Sequence, residues 1–524
     1  MSAAPGDARE PSASRESSAP GESSAPGESS APGEASTAAA PSRRGESSTS
    51  REPRGGGALG AWLLLAAVAL AAVLVVPGSE WFQICFLPAA YPDSDYELHW
   101  AASQALVHGQ DPYDAAVVNG YGAVTGRSDT PFCAAMPLMV RLFALTGGAD
   151  AAHFADGYRV ALAANGALLV LSALLLASAL HHASLRRAPL APDAGQPARS
   201  PGTHFAAALA AAMAMLAFND GVWMALHYNQ LNFVALAAVC GALCAAQRGR
   251  PGAEGALLAV AALAKTSPAL LIVVAAMAGR WRTVRAAALT AAALGALSVA
   301  WHGWAVHASW LAMAGRELGY AAELRPGFFN NSHHAWNLAP NGALTRAGDA
   351  AGWSAGDVRA AVWTVTAVVL AALWVAVRRT AGRSAGTAAS SSDGNAGAGC
   401  DTPADVDAAA RCAADPPRGV FEQYALGVGA TFLVSSVTWS PHLSLAALPA
   451  VWLLHAGWSG AARRAPTLLM IGGVAYAVLC LPLGTFGRPE DLSRDIQLKL
   501  AACVLLFAAT WSLAADEADS RAAG

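Results

Sequence analysis

The sequence predicts an all-α polytopic membrane protein. Of its 524 residues, 55% are apolar and only 13% are charged, and the mean hydropathy is +0.37. A soluble domain carries about 25% charged residues. Apolar runs of roughly 17–25 residues, the length that an α-helix needs to cross a bilayer, recur along the chain. This composition argues against nucleic-acid binding and leaves no segment for a soluble catalytic core.

The first 57 residues differ from the rest and predict a disordered cytoplasmic tail. They are rich in Ser, Ala, Pro, Gly and Glu, and they repeat Ser-Ser-Ala-Pro-Gly-Glu three times, at 17–22, 23–28 and 29–34. Such a segment has almost no apolar surface to bury. Basic residues then precede the first apolar run, 58–76, as expected for the cytoplasmic side of a membrane protein. They are Arg43, Arg44, Arg51 and Arg54.

Basic clusters order the later apolar runs. If all of them lie in the cytoplasm, each segment between two clusters must cross the membrane and return. The clusters are Arg186–Arg187, Arg248–Arg250, Arg280–Arg285, Arg378–Arg383 and Arg463–Arg464. The resulting spans are 58–76, 155–180, 203–219, 229–247, 252–264, 268–279, 284–301, 357–377, 421–437, 441–457, 466–484 and 496–514. This scheme predicts a transmembrane domain of about twelve helices over 58–515, with both termini, the 380–420 loop and the 516–524 tail in the cytoplasm.

The segment 252–279 is predicted to be a hairpin rather than one span. Both of its flanks are basic, so a single span would place one basic flank outside. Pro268 disfavours a helical conformation for the residue before it and breaks the segment midway. Two short helices, 252–264 and 268–279, therefore pair, with Lys265 near the outer apex.

Two long loops, 77–154 and 302–356, are predicted outside the membrane and carry interfacial helices. Asp95 opens one such helix, in which Tyr96, Trp100 and Val107 form an apolar face. An ionised carboxylate held at a membrane surface can take a proton from a sugar hydroxyl. Asp95 is the first candidate for this role and Asp93 the second. The alternative is that Asp95 is only a helix N-cap.

Several basic side chains on the outer side are candidates for binding a phosphate. Lys265 is an ionisable group at membrane depth, and such groups are costly and usually functional or paired. Its alternative role is to donate hydrogen bonds to carbonyls freed at the helix break. Arginine in particular fits a phosphate bidentately. The loop candidates are Arg325, His333, His334 and Arg346, each of which could instead be a solvated loop residue.

Polar residues also sit at the outer apices between apolar helices. They occur in the segments 227–230 and 436–442 and in the second outer loop. If these apices converge on one side, they form a pocket embedded in the membrane. The candidate lining residues are Tyr96, Trp100, Asn229, Gln230, Asn331 and His442.

The order of the short motifs is more specific than any single one. They are Asp95-Tyr96, Ala101-Ala102, Gly109, Asp111-Pro112-Tyr113-Asp114, Asn229-Gln230-Leu231-Asn232, Ala264-Lys265-Thr266-Ser267-Pro268, Arg280-Trp281-Arg282, Asn331-Ser332 and Ser440-Pro441-His442. The ordered set resembles glycosyltransferase family 87, whose best-known members are α-mannosyltransferases that use a polyprenol-phosphate-mannose donor.

The resemblance implies a GT-C-like bundle and an inverting hexosyl transfer with Asp95 as the base. It also implies a polyprenyl-phosphate sugar donor, with mannose as the sugar, and a lipid or glycan acceptor. No cofactor is needed because the donor is a lipid. The sequence Asp93-Ser94-Asp95 nevertheless reads Asp-x-Asp, which leaves a divalent metal ion open.

The alternative function is that of a polytopic transporter or lipid flippase. Transporters often show repeat symmetry and broken helices at mid-membrane. This chain has one broken hairpin and no convincing repeat, and its long polar loops on a single face favour the enzyme. Only two lysines, Lys265 and Lys499, occur among 33 basic residues. With the high alanine content, this bias suggests a GC-rich bacterial genome, and hence a bacterial inner-membrane protein whose site faces the periplasm.

Overall fold

The computed structural model describes residues 95–122, 135–145, 151–187, 201–317, 337–381, 419–435, 438, 440–458, 465–481 and 493–523. All of them fall in one compact unit, Pro53–Gly524. The predicted tail, 1–57, and the first predicted span, 58–76, lie outside the described residues. So do Asp93, Arg325, Asn331, His333 and His334.

The described residues form helices and contain no strand. The first helices are α1 (Asp95–Val107), α2 (Ala115–Gly122), α3 (Pro137–Ala144), α4 (Ala151–Arg187), α5 (Pro201–Ala217), α6 (Asp220–His227), α7 (Asn232–Gln247), α8 (Pro251–Ala264) and α9 (Ala269–Met277). They are followed by α10 (Trp281–His302), α11 (Trp304–Glu317), α12 (Pro340–Ala351), α13 (Ala355–Ala381), α14 (Val420–Val434), the 3₁₀ helix η1 (Ser440–Ala446), α15 (Ala447–Trp458), α16 (Ala465–Cys480) and α17 (Ser493–Ala523).

The all-helical prediction is confirmed for the described part of the chain. Every predicted span that lies there coincides largely with a helix. Within the described residues, four helical segments are long and apolar enough to cross a membrane: Phe154–Arg186, Trp281–His302, Ala355–Ala381 and Asp495–Asp516. A fifth results if the bent pair α5 and α6 counts as one span. The number of twelve spans therefore remains a prediction.

The helix that covers the predicted span 203–219 does not continue straight toward residues 227–230. The chain bends by 63° between α5 and α6. The residues at this bend, Asn219, Asp220 and Gly221, are typical of turns because two carry short polar side chains and the third has no Cβ.

Helix α1 is buried on more sides than the predicted interfacial face allows. Tyr96 and Trp100 are buried as expected, but Val107 is 44% exposed. Glu97 and Gln104, which are not part of that face, are buried as well. Helix α1 therefore packs against other segments on most of its sides, and an interfacial position for it stays a prediction.

The segment 251–280 folds back on itself. Near its start, Glu254 contacts the guanidinium of Arg280, which immediately follows the segment's second helix. The other Glu254 oxygen accepts a hydrogen bond from Thr283 Oγ1 at 2.7 Å. The two ends of this segment therefore lie together, as the basic flanks predicted, and Lys265 lies at the break between α8 and α9.

Candidate active site

Asp95, the predicted base, lies at the first position of α1 and is half-buried. The side-chain amide of Gln230 donates a hydrogen bond to Asp95 Oδ2 across 135 residues of sequence. The backbone of α1 is fixed at the same point, because Tyr96 N donates to the carbonyl oxygen of Tyr228 at 3.1 Å. The loop after α6 therefore holds both the start of α1 and its carboxylate.

Lys265 reaches the same amide from the other side. Its backbone is extended at the break between α8 and α9, with φ −145° and ψ 132°. Lys265 Nζ donates to Gln230 Oε1 at 3.2 Å and lies 3.2 Å from Nε2 of His442. Since an ammonium group can only donate, His442 Nε2 must accept this hydrogen bond. Gln230 thus bridges the predicted base and a cation.

The position of Gln230 is set by two neighbouring asparagines. Asn232 Nδ2 donates to Gln230 Oε1 at 3.0 Å. Asn229 has a left-handed backbone, with φ +51°, which asparagine tolerates better than most residues. Its side chain accepts a hydrogen bond from Asn165 Nδ2 at 2.6 Å and donates one to the Tyr158 carbonyl at 3.1 Å. Asn229 is completely buried, so it fixes the turn that presents Gln230.

His99 is a site residue that the sequence analysis missed. Its ring stacks on Phe143, with centroids 4.6 Å apart. Burial and the nearby positive charge of Lys265 lower the pKa of His99 to about 3, so the ring is neutral at physiological pH. Its position could have been found from spacing alone, because residues four apart, such as Asp95 and His99, share one face of a helix.

An aromatic cluster supports α1 on its buried side. The Tyr96 ring lies 5.4 Å from the rings of both Phe154 and Tyr158, and Trp100 lies 5.3 Å from Phe154. Tyr96 and Trp100 are completely or almost completely buried, at 0% and 1% exposure. Their packing fixes α1, and a direct role for them in lining the pocket stays a prediction.

Arg346 lies on α12, next to the chain that leads to His442. Its Nη2 atom donates to the Asn337 carbonyl at 3.2 Å. The neighbouring Leu338 N donates to the Thr438 carbonyl at 2.7 Å, four residues before His442. Partial burial lowers the pKa of Arg346 from its usual value. The other predicted phosphate ligands, Arg325, His333 and His334, fall outside the described residues, as do Asn331 and Asp93.

The assembled groups have complementary chemical capacities. Asp95 supplies a carboxylate, Lys265 a cation, and Gln230 and His442 supply neutral partners that hold them. Among the described residues, no group of three or more His, Cys, Asp or Glu side chains could hold a metal ion. Because Asp93 is not among these residues, the Asp-x-Asp motif stays untested.

Residues 136–392 match the model of glycosyltransferase family 87. The matched region contains Gln230, Lys265 and Arg346, whereas Asp95 precedes it and His442 follows it. The structure brings both outlying residues into contact with the matched part. No curated protein sequence matches the chain.

The match supports the resemblance to family 87 that the ordered motifs suggested, and with it a glycosyltransferase that acts on a sugar donor and an acceptor in a membrane environment. It does not favour the transporter or flippase alternative.

Proposed function

We propose that this protein is an integral membrane glycosyltransferase that moves a hexose from a polyprenyl-phosphate donor to a lipid or glycan acceptor, with inversion at the anomeric carbon. The observation that carries the proposal is the Gln230 side chain, which contacts Asp95 and Lys265 at once. The match to family 87 supports the reaction class, and mannose is the proposed sugar on resemblance to that family.

In the proposed reaction, Asp95 is the general base. Its carboxylate takes the proton from the acceptor hydroxyl while the hydroxyl oxygen attacks the anomeric carbon of the donor sugar. The bond between that carbon and the phosphate oxygen breaks, and the oxygen leaves with the electron pair as polyprenyl phosphate. Attack from the side opposite the phosphate inverts the configuration. Asp95 ends the step protonated and passes its proton to solvent.

Lys265 is the proposed cation for the leaving phosphate. Negative charge builds on the phosphate oxygen as the sugar bond breaks, and a fixed positive charge nearby stabilises that state. Gln230 and His442 contact the Lys265 ammonium and orient it. Arg346 is the proposed second cation, together with Arg325, His333 and His334, which sequence alone suggests.

Gln230 is the proposed positioning residue between these two groups. Its amide nitrogen donates to Asp95 and its amide oxygen accepts from Lys265, so one side chain orients both. Loss of this amide should therefore disturb the base and the cation together.

The proposed location is the bacterial inner membrane, with both termini in the cytoplasm and the site facing the periplasm. Nucleotide sugars are scarce there, so a donor that arrives through the membrane suits the site. No cofactor is proposed.

The deciding experiment uses the purified protein in nanodiscs with radiolabelled polyprenyl-phosphate mannose. Membranes from a source strain lacking the gene supply the acceptor. We expect labelled product with wild type and a loss on the order of 10²–10⁴-fold with Asp95→Asn, the typical contribution of a general base. Asp156→Asn is the matched control. The Asp156 side chain is 69% exposed and forms a surface ion pair with Arg159.

Three results would contradict the proposal. Transfer from a soluble nucleotide sugar, with none from the polyprenyl-phosphate sugar, would rule out the proposed donor. A stable Asp95→Asn protein with near wild-type turnover would show that Asp95 is not the general base. Movement of labelled lipid across a sealed bilayer without sugar transfer would replace the enzyme with a flippase.

A further inference from the structure

A second buried polar cluster lies at the bend between α5 and α6. Lys499, the only lysine besides Lys265, is 2% exposed, and its Nζ atom lies 2.7 Å from Asp220 Oδ2. Asp220, itself 6% exposed, is the first residue of α6. Lys499 lies on α17, inside a segment apolar enough to cross a membrane. A charged pair at such depth is costly, so its presence calls for a reason.

One side of this bend packs closely against η1, the helix that carries His442. Asn219 Nδ2 donates to the Leu443 carbonyl at 3.0 Å and to Tyr476 Oη at 3.1 Å. Gly221 lies so close to η1 that an added Cβ would be 2.5 Å from the Ser440 carbonyl oxygen. Any movement of residues 219–221 must therefore move η1, and with it His442.

The other side of the bend continues into the turn that carries Gln230. Helix α6 has only eight residues, which corresponds to a length of about 12 Å. At its end, the Tyr228 carbonyl accepts the hydrogen bond from Tyr96 N, and Gln230 follows two residues later. A short helix moves as a rigid rod, so the position of Asp220 is transmitted to this turn.

We propose that Asp220 and Lys499 form a positioning ion pair that fixes the bend and thereby sets Gln230 and His442 around Lys265. The pair anchors α6 to α17 at one point, while the turn after α6 carries Gln230 and η1 carries His442, both of which contact the Lys265 ammonium. This inference rests on the proposed function for its consequence in catalysis, but its structural content can be measured separately. In the part of the chain that the structure describes, Asp220 and Lys499 bond each other and contact none of the proposed reacting groups, so both act through others.

The test compares the single variants Asp220→Asn and Lys499→Met with the double variant. Each single variant leaves a buried group without its charged partner and should yield little folded protein. The double variant removes both charges and should fold with a melting temperature near that of wild type. It should nevertheless lose about 10- to 100-fold in kcat, with the KM for polyprenyl-phosphate mannose changed by less than about threefold, because misplacement by about 1 Å has such an effect.

Two further readouts separate positioning from mere stability. Adding His442→Ala should lower kcat much less in the double variant than in wild type, since groups that act through one arrangement are not additive. Hydrogen exchange, which needs no donor, should become faster in 228–231 and 440–446 of the double variant and stay unchanged in α4. Gly221→Ala, which keeps the ion pair, should speed exchange in 440–446, whereas Gly166→Ala should not, because an added Cβ there meets nothing within 4 Å.

A folded double variant with wild-type exchange in both segments would overturn the inference, whatever the donor proves to be. So would a stable double variant whose kcat stays within about twofold of wild type. If wild type transfers no sugar but exchange rises in both segments, the positioning pair stands and only the proposed reaction fails.

Discussion

The segment formed by α8 and α9 carries charged side chains at two places. One is its base, where the start of α8 meets the end of α9, and the other is the break between the two helices, and the two places are built differently. At the base, Glu254 is 2% exposed and bonds Arg280, Thr283 and Tyr424, the last at 3.0 Å. The Arg280 guanidinium also lies 5.7 Å from the centroid of the Tyr424 ring. At the break, Lys265 is half-buried and contacts the neutral side chains of Gln230 and His442.

This difference distinguishes a charge that holds the fold from one that can meet a substrate. Both oxygens of Glu254 are hydrogen-bonded and its partner is an opposite charge, so the centre at the base is compensated and closed. At the break, the Asp95 carboxylate and the Lys265 ammonium each contact the Gln230 amide, and both residues are only half-buried. Substitutions at the base should therefore mainly lower stability, and substitutions at the break should mainly lower activity.

The largest effect on stability is expected at the base. Glu254→Gln leaves Arg280 as a buried charge without its carboxylate, which typically destabilises a protein by about 3–5 kcal/mol. Thermal unfolding in detergent should show this loss. The double variant Glu254→Gln, Arg280→Met should recover most of it, because both charges are then gone. A stable, fully active Glu254→Gln protein would show that these contacts do not hold the two ends of the segment together.

The largest effect on activity, after that of Asp95, is expected at Lys265. Lys265→Met keeps the length of the side chain but removes the charge, and kcat should fall about 10²- to 10³-fold, the typical effect of losing one group that stabilises transition-state charge. Because Lys265 is only half-buried, whereas Glu254 is 2% exposed, the melting temperature should change less than for Glu254→Gln. Lys265→Arg should recover part of the activity. Equal losses of stability at both ends would contradict the comparison.

The sequence allowed a good prediction of where helices lie and a partial one of the site. Apolar runs identify helices because a membrane-length apolar segment can satisfy its backbone only within a helix. Asp95, Gln230, Lys265 and His442 were each singled out as polar groups in apolar or interfacial settings. Their mutual contacts depend on how four distant segments pack, and no local pattern encodes that.

Other parts of the site could not be assigned correctly from local sequence. Asn229 was expected to line the pocket, but its side chain serves the turn beneath Gln230. The bend at 218–219 was missed because the apolar run hides it, although Asn219-Asp220-Gly221 is a turn signal. The pairing of Lys499 with Asp220 depends on the contact between α6 and α17, which the sequence alone does not reveal.

A smaller effect is expected at Gln230, where two variants of similar size test the bridge. Gln230→Leu removes both hydrogen bonds and should lower kcat on the order of tenfold or more through misplaced partners. Gln230→Glu keeps the shape and can still accept from Lys265, but it sets a second carboxylate against Asp95. Two neighbouring carboxylates raise the pKa of one of them. The pH at which activity rises should therefore move upward in Gln230→Glu, and an unchanged pH profile would contradict the contact.

The smallest effect is expected from His99, and it concerns stability as a function of pH. The folded protein holds the pKa of His99 at about 3, whereas an unfolded histidine titrates near 6.5. Between these values the unfolded chain binds the additional proton, so stability falls as the pH drops below about 6.5 toward 3. His99→Phe should retain the stacking on Phe143 and lose this contribution. Melting temperatures from pH 7.5 to 5 should fall less steeply for His99→Phe than for wild type, and parallel curves would show that Lys265 and burial do not hold this ring neutral.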